Sequence, residues 1–212
     1  MSAELMLESS EPSLLIIEER TSKHIVVGVP HHAPAGTPTL PCLDHKDSDE
    51  NAGFLGRYIA ETLDCCSIIA CNYPMDVNKC LRSDYTMQIA KWNPKVLIEI
   101  HGHGEGSANY DVEISSGSSA NDQYSSQLGT KLKEALASID DLKKLSICGE
   151  YSKLRLKASS SVTIKDGRWV AYHIELPRAL RKPSDSPAGK PPPIGYKFCD
   201  ALIKVVREIH ES

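Results

Sequence analysis

The chain is short of several things, and each absence excludes a class of function. There is no basic excess: 24 Lys and Arg stand against 28 Asp and Glu, a formal net charge of −4. A nucleic-acid or anionic-membrane partner is therefore not expected. No apolar run approaches the roughly 20 residues that cross a bilayer. The opening residues include Glu4 and Glu8 and no basic segment, so they do not read as a secretory signal. Seven cysteines, an odd number, contain no C-x-x-C pair. That pattern speaks against a disulfide scaffold or a thiolate zinc site and for buried, reduced thiols in a cytoplasmic protein.

What is present is the composition of an ordinary globular domain, with 41% hydrophobic and 25% charged residues over 212 positions. That length suits a single domain spanning 1–212 with a sizeable core. Apolar β-branched runs at residues 14–17, 24–29, 67–71, 96–100, 111–114 and 169–176 read as strands. Residues 18–23 read as a hairpin-like turn, and 145–148, 154–156 and 162–164 as short strand candidates. Helical spacing marks Leu55, Ile59 and Leu63, then Tyr124, Leu128, Leu132, Leu136 and Ile139, then Phe198, Leu202, Val205 and Ile209. Ser83 can cap a short helix that Asn93-Pro94 ends. Strands alternating with helices predict an α/β fold, a mixed β-sheet sandwiched by helices. Two stretches read as loops: 30–48, long enough to be functional, and the proline-rich 181–193, expected to be mobile.

The chemistry gathers where strands end. The run at 96–100 stops at His101-Gly102-His103-Gly104, and the run at 24–29 stops at Pro30-His31-His32. In open α/β sheets the ligand crevice lies beyond the carboxyl ends of the strands. Histidines ending two strands, with an acid at Asp49 or Glu50, offer two imidazoles and one carboxylate. That set leaves a zinc position open for water, as a catalytic site requires. Acids in a first helical turn ordinarily serve the helix dipole instead. His32 and His103 compete with His31 and His101 for the ligand roles. Glu175 stands among apolar neighbours in WVAYHIEL, where burial would raise its pKa towards that of a general base. Asp76-Val77-Asn78-Lys79 places an acid, an amide and a cation within four residues, a set able to bind a substrate carboxylate.

In that order, these motifs resemble the N-formylglutamate amidohydrolase family and, more distantly, the zinc carboxypeptidases and the succinylglutamate desuccinylase/aspartoacylase group. Val29-Pro30-His31 looks like the family's strand-Pro-His-Ser-Gly segment. Asp49-Glu50-Asn51-Ala52-Gly53 resembles both the Asp-Thr-Asp of the amidohydrolases and the Asn-Glu-x-x-Gly of the desuccinylases, with Glu50 favoured. Asp76-Val77-Asn78-Lys79 is similar to Asp-x-Asn-Arg, with Lys in place of Arg. Glu99-Ile100-His101-Gly102 is similar to Asp-x-His-Ser, and Ile174-Glu175-Leu176-Pro177-Arg178-Ala179-Leu180 to Ile-Glu-Ile-Asn-Arg-Ala-Leu. The resemblance implies a zinc carboxypeptidase-like (phosphorylase/hydrolase-like) fold holding one zinc per chain on His31, Glu50 and His101. It implies Glu175 as catalytic base, and Asn78, Lys79 and Arg178 binding a small N-acyl amino acid or short acidic peptide. The alternatives are a two-metal phosphoesterase, using His31, His32, His101 and His103 with Asp47 and Asp49, and a metal-free binding protein of the same fold.

Overall fold

The β-branched runs become strands of one mixed eight-stranded sheet in a computed structural model that describes residues 2–183 and 189–211. The strands are β1 (Leu14–Glu18), β2 (Ser22–Ala33), β3 (Asp49–Glu50), β4 (Cys65–Cys71), β5 (Val96–Gly102), β6 (Val112–Ser115), β7 (Ile147–Cys148) and β8 (Val170–Leu176). Their order is β1-β4-β2-β5-β8-β6-β7, with β3 on the end of β2. The central four, β4, β2, β5 and β8, run parallel, while β1 and β6 pair antiparallel to their neighbours.

Parallel strands are covered on both faces, which is why their sequences read as near-continuous apolar runs. On one face α2 (Ala52–Thr62), α4 (Asp122–Leu136) and α6 (Pro193–His210) bring Leu55, Leu128 and Phe198 onto Val27, Ile98 and Tyr172. On the other, α3 (Asp84–Trp92) lays Tyr85, Ile89 and Trp92 on Val26 and Leu97. Ser83 caps α3, and Asn93 closes it in the left-handed conformation. Two short helices remain, α1 (Ala3–Leu7) and α5 (Arg178–Arg181). Among the described residues no helix is long and apolar enough to cross a membrane. All seven cysteines are free thiols, and six of them are buried.

Several local expectations are corrected. Residues 18–23 do not join a hairpin, because β4 inserts between β1 and β2. Asp49 and Glu50 precede the helix rather than opening it: they form β3, and α2 starts at Ala52 after Asn51 at φ 64°. Of the short candidates only Ile147–Cys148 is a strand; Leu154 and Ile164 are buried anchors of loops. The stretch 181–193 begins with buried Arg181 and Lys182 and ends in the first residue of α6, while 184–188 lie outside the described residues.

A bulge in β2 decides which histidine faces which side. Val29 pairs with Ile69 but His32 pairs with Cys71, so three residues of β2 span two of β4. One extra residue reverses the alternation of side chains. His32 therefore turns to the α2 side, where its Nδ1 accepts from the Gly53 N–H at 3.1 Å and its Nε2–H donates to the Leu7 carbonyl at 3.0 Å. Burial pulls its pKa down to about 4, so the folded chain holds it neutral. The unfolded chain protonates it near its ordinary value of about 6.5. Stability from this residue is thus present above that value and lost as the pH falls towards 4, by on the order of 3 kcal/mol. Urea midpoints at pH 7.5 and 4.5 should fall less between the two for His32→Gln than for the parent; equal falls would contradict this reading.

Gly28 makes a close approach possible one strand turn earlier. A Cβ there would stand 2.1 Å from Tyr85 Oη, which donates to Glu99 Oε1 at 3.0 Å. Gly28→Ala should cost about 1–3 kcal/mol, the usual price of overpacking. An unchanged denaturation midpoint would show that Tyr85 moves aside freely.

Candidate active site

Alternation on β5 and β8 sorts the core from the chemistry. Val96, Ile98 and Ile100 on β5, and Tyr172 and Ile174 on β8, face the layer of α2, α4 and α6. Glu99, His101, His173 and Glu175 take the opposite face, and the register sets His101 beside Glu175 and Glu99 beside His173. The β2 bulge sends His31 to the same side. All of these groups stand at the carboxyl ends of parallel strands.

Asp49 is the carboxylate that joins the two histidines. Its Oδ2 lies 3.5 Å from His31 Nδ1 and 3.3 Å from His101 Nδ1. The far nitrogen of each ring meets a second buried carboxylate: His31 Nε2 is 3.0 Å from Asp76 Oδ1, and His101 Nε2 is 3.4 Å from Glu99 Oε2. A carboxylate behind an imidazole fixes its tautomer, with the proton outward and the lone pair on the other nitrogen. Here both lone pairs would lie on Nδ1, facing Asp49. His31 Nδ1 and Asp49 Oδ2 are buried and make no hydrogen bond among the described residues. Ligand atoms of the three residues lie within 4.8 Å of one another, so this set could hold a divalent cation. Burial alone would raise Asp49, but the two imidazoles hold its carboxyl far below the usual range. Burial alone would lower His101, but Asp49 and Glu99 push it up to about 10, and Asp49 and Asp76 raise His31 in the same way. A cation between the rings would displace the protons that these carboxylates draw onto them.

Glu50 does not join this group. Its Oε1 accepts from the Gly36 N–H at 2.8 Å and from Lys182 Nζ at 2.6 Å, tying the 34–48 loop to the residue just past α5. Consecutive residues of a strand point to opposite faces, so β3 can offer only one of its two acids to the histidines. His103 is also elsewhere, its ring nitrogens 3.1 and 2.9 Å from the carbonyls of Gly104 and Asp111.

Glu175 stands on the neighbouring strand, within 4.8 Å of ring nitrogens of His101 and His173. Burial pushes its pKa up to about 7, with Asp49 adding to the rise and His101 opposing it. Its Oε2 is buried without a hydrogen-bond partner among the described residues. A cleft of about 250 Å³ opens over His31, His101 and Glu175, walled by Asn78, Lys79 and residues 155–161. Asn78 donates from Nδ2 to Glu99 Oε2 at 3.2 Å, and Lys79 Nζ is 2.6 Å from Asp76 Oδ2. Arg178 is exposed and does not line the cleft; Lys79, Arg155 and Lys157 are the Lys and Arg side chains that do.

Sequence reasoning missed several residues here. His45 stacks on His31, ring centroids 3.9 Å apart, from a loop with no periodicity to flag it. Glu99 and His173 lie two residues before His101 and Glu175, and strand alternation would have found both. Asp76, placed by the sequence in a set able to bind a substrate carboxylate, proves to be buried behind His31.

No protein-family model matches the chain, and no curated protein matches it. Solved structures do. A bacteriophage poly-gamma-glutamate hydrolase superposes with a TM-score of 0.57 at 12% identity, over 99% of this chain and 95% of that one. An N-formylglutamate amidohydrolase from Ralstonia eutropha superposes with a TM-score of 0.52 at 9% identity, over 93% and 97%. A gene product of Agrobacterium tumefaciens gives 0.57 at 12%, over 92% and 95%. The chain has the fold of the N-formylglutamate amidohydrolase that its motifs resemble, a mixed sheet flanked by helices.

Proposed function

We propose that the protein is a zinc-dependent amidohydrolase that cleaves the amide bond of an N-acyl amino acid or short acidic peptide. One observation carries this reading: a single buried carboxylate oxygen, Asp49 Oδ2, faces the Nδ1 atoms of two histidines beside Glu175, whose Oε2 has no hydrogen-bond partner among the described residues. His31, Asp49 and His101 would hold one zinc per chain, which would supply Lewis-acid polarisation of a carbonyl and a lowered water pKa. Glu175 Oε2 takes a proton from the attacking water and passes it to the amide nitrogen as the C–N bond breaks. Its raised pKa suits both transfers. Asp76 and Glu99 hold the imidazoles in place. Lys79, Arg155 and Lys157 give the cleft a cationic wall for a substrate carboxylate. Seven free cysteines suit a reducing cytoplasm.

The two-metal alternative loses the ligands expected for it, because His32 and His103 engage backbone groups and Asp47 is exposed. His45 and Asp76 with His31, and His173 and Glu175 with His101, form further groups that could hold an ion. Zinc-loaded protein should release free amine from at least one member of a panel of N-acyl amino acids. Failure with every amide would contradict the proposal. Within that panel a free carboxylate should bind better than its amidated counterpart. Lys79 shares its charge with Asp76 and is partly exposed, so Lys79→Ala should raise KM for the free acid only about 2- to 5-fold. If the parent enzyme treats the acid and the amide alike, the acidic substrate class is wrong.

A further inference from the structure

The cationic wall of the cleft is held from beneath by a buried acid that the proposed reaction does not touch. Glu113 lies on β6, fully buried, and the antiparallel register sets it beside Glu175 and Ser115 beside His173. Val112 and Ile114 turn into the core under α4, so Glu113 and Ser115 share the face that carries the candidate active site. A buried carboxylate is costly unless it is paired, yet Glu113 forms no ion pair among the described residues. Backbone groups take that place. Its Oε2 accepts from the N–H groups of Arg155 at 3.0 Å and Leu156 at 2.7 Å, and its Oε1 from the Asn109 N–H at 2.7 Å. Two residues on, Ser115 Oγ donates to the Lys157 carbonyl at 2.7 Å. Strand β6 thus grips the backbone of 155–157 at three successive residues and ties it to the loop that follows β5.

The side chains of the gripped segment stay free of acids. Arg155 donates from Nη1 to the Gly106 carbonyl at 2.6 Å, and Lys157 Nζ stands 5.1 Å from the centre of the Tyr151 ring. Neither forms an ion pair among the described residues, whereas Lys79, the third cation of the wall, lies 2.6 Å from Asp76 Oδ2. Cations on a loose loop would have to be ordered by the substrate itself, which weakens binding.

Resting on the acidic-substrate reading, we propose that Glu113 is a positioning residue that sets Arg155 and Lys157 for a substrate carboxylate. It fixes the backbone from which the two cations reach, and Ser115 completes the hold at Lys157. A carboxylate suits this task because both oxygens accept and neither donates. Glutamine has to aim its NH2 group at one set of these backbone N–H groups, which leaves them unpaired.

The test is kcat/KM for an N-acyl amino acid and for its carboxamide, which carries no charge to be read, using zinc-loaded protein. Glu113→Gln should lower the acid-to-carboxamide ratio about 5- to 20-fold, inside the roughly 10²-fold that a misplaced clamp can cost. The change should fall on KM for the acid, with kcat for the carboxamide within about 2-fold of the parent. Ser115→Ala removes the donor to the Lys157 carbonyl and should move the ratio the same way by about 2- to 5-fold. It decides the matter if Glu113→Gln does not fold. In an Arg155→Gln/Lys157→Gln background the wall is already gone, so adding Glu113→Gln should leave the ratio where that background puts it. A ratio unmoved in the folded single variants, or one that falls further in that background, would overturn the role of Glu113. A parent that does not distinguish acid from carboxamide would instead overturn the acidic-substrate reading on which the role rests.

Discussion

Glu175→Gln is expected to lower kcat by at least about 10²–10⁴-fold, the usual contribution of a positioned acid-base group. Gln preserves the size of the side chain and its place on β8, so the fold and the His31–Asp49–His101 group should survive. What is lost is the ability to take a proton and give it back. The structure makes Glu175 suited to that task for a stated reason. It is buried beside Asp49, and both burial and that neighbouring negative charge favour its protonated form, bringing its pKa to about 7. An ordinary exposed glutamate would hold a proton too weakly near neutrality to return it to a leaving amine. Near-normal turnover by Glu175→Gln, with zinc content unchanged, would remove this residue from the reaction.

Much of the sheet was legible because parallel strands covered on both faces leave a strong signal. The runs that became β2, β4, β5 and β8 contain the β-branched clusters visible in the sequence, and the helix facing them at 122–136 shows its four-residue spacing plainly. The strand ends were legible too, since a histidine followed by glycine after an apolar run is an abrupt change. The hairpin expected at 18–23 failed because local pattern says nothing about a strand that arrives forty residues later. The choice between Asp49 and Glu50 failed for a related reason. Both are acids in a motif that resembles two families, and only the contacts of Asp49 with His31 and His101, and of Glu50 with Gly36 and Lys182, show which one turns to the histidines. His31 and His32 could not be separated by sequence either, because the bulge between Val29 and His32 breaks the alternation that would have decided it. His45 reaches His31 from a loop, where neither periodicity nor propensity applies.

Asp49 and Glu50 also offer the most direct measurement. Replacing Asp49 by Asn keeps the volume but removes the charge that faces both Nδ1 atoms, and neutral amide oxygen is a poor zinc ligand beside carboxylate. Replacing Glu50 by Gln leaves the histidines untouched and weakens only a salt bridge to Lys182. Zinc bound per chain, measured after dialysis against a weak chelator, should be about one for the parent and for Glu50→Gln, as a single catalytic site implies, and should fall to a small fraction of that for Asp49→Asn. Full zinc in Asp49→Asn together with its loss from Glu50→Gln would contradict the assignment, and absence of zinc from all three would contradict the metal centre itself.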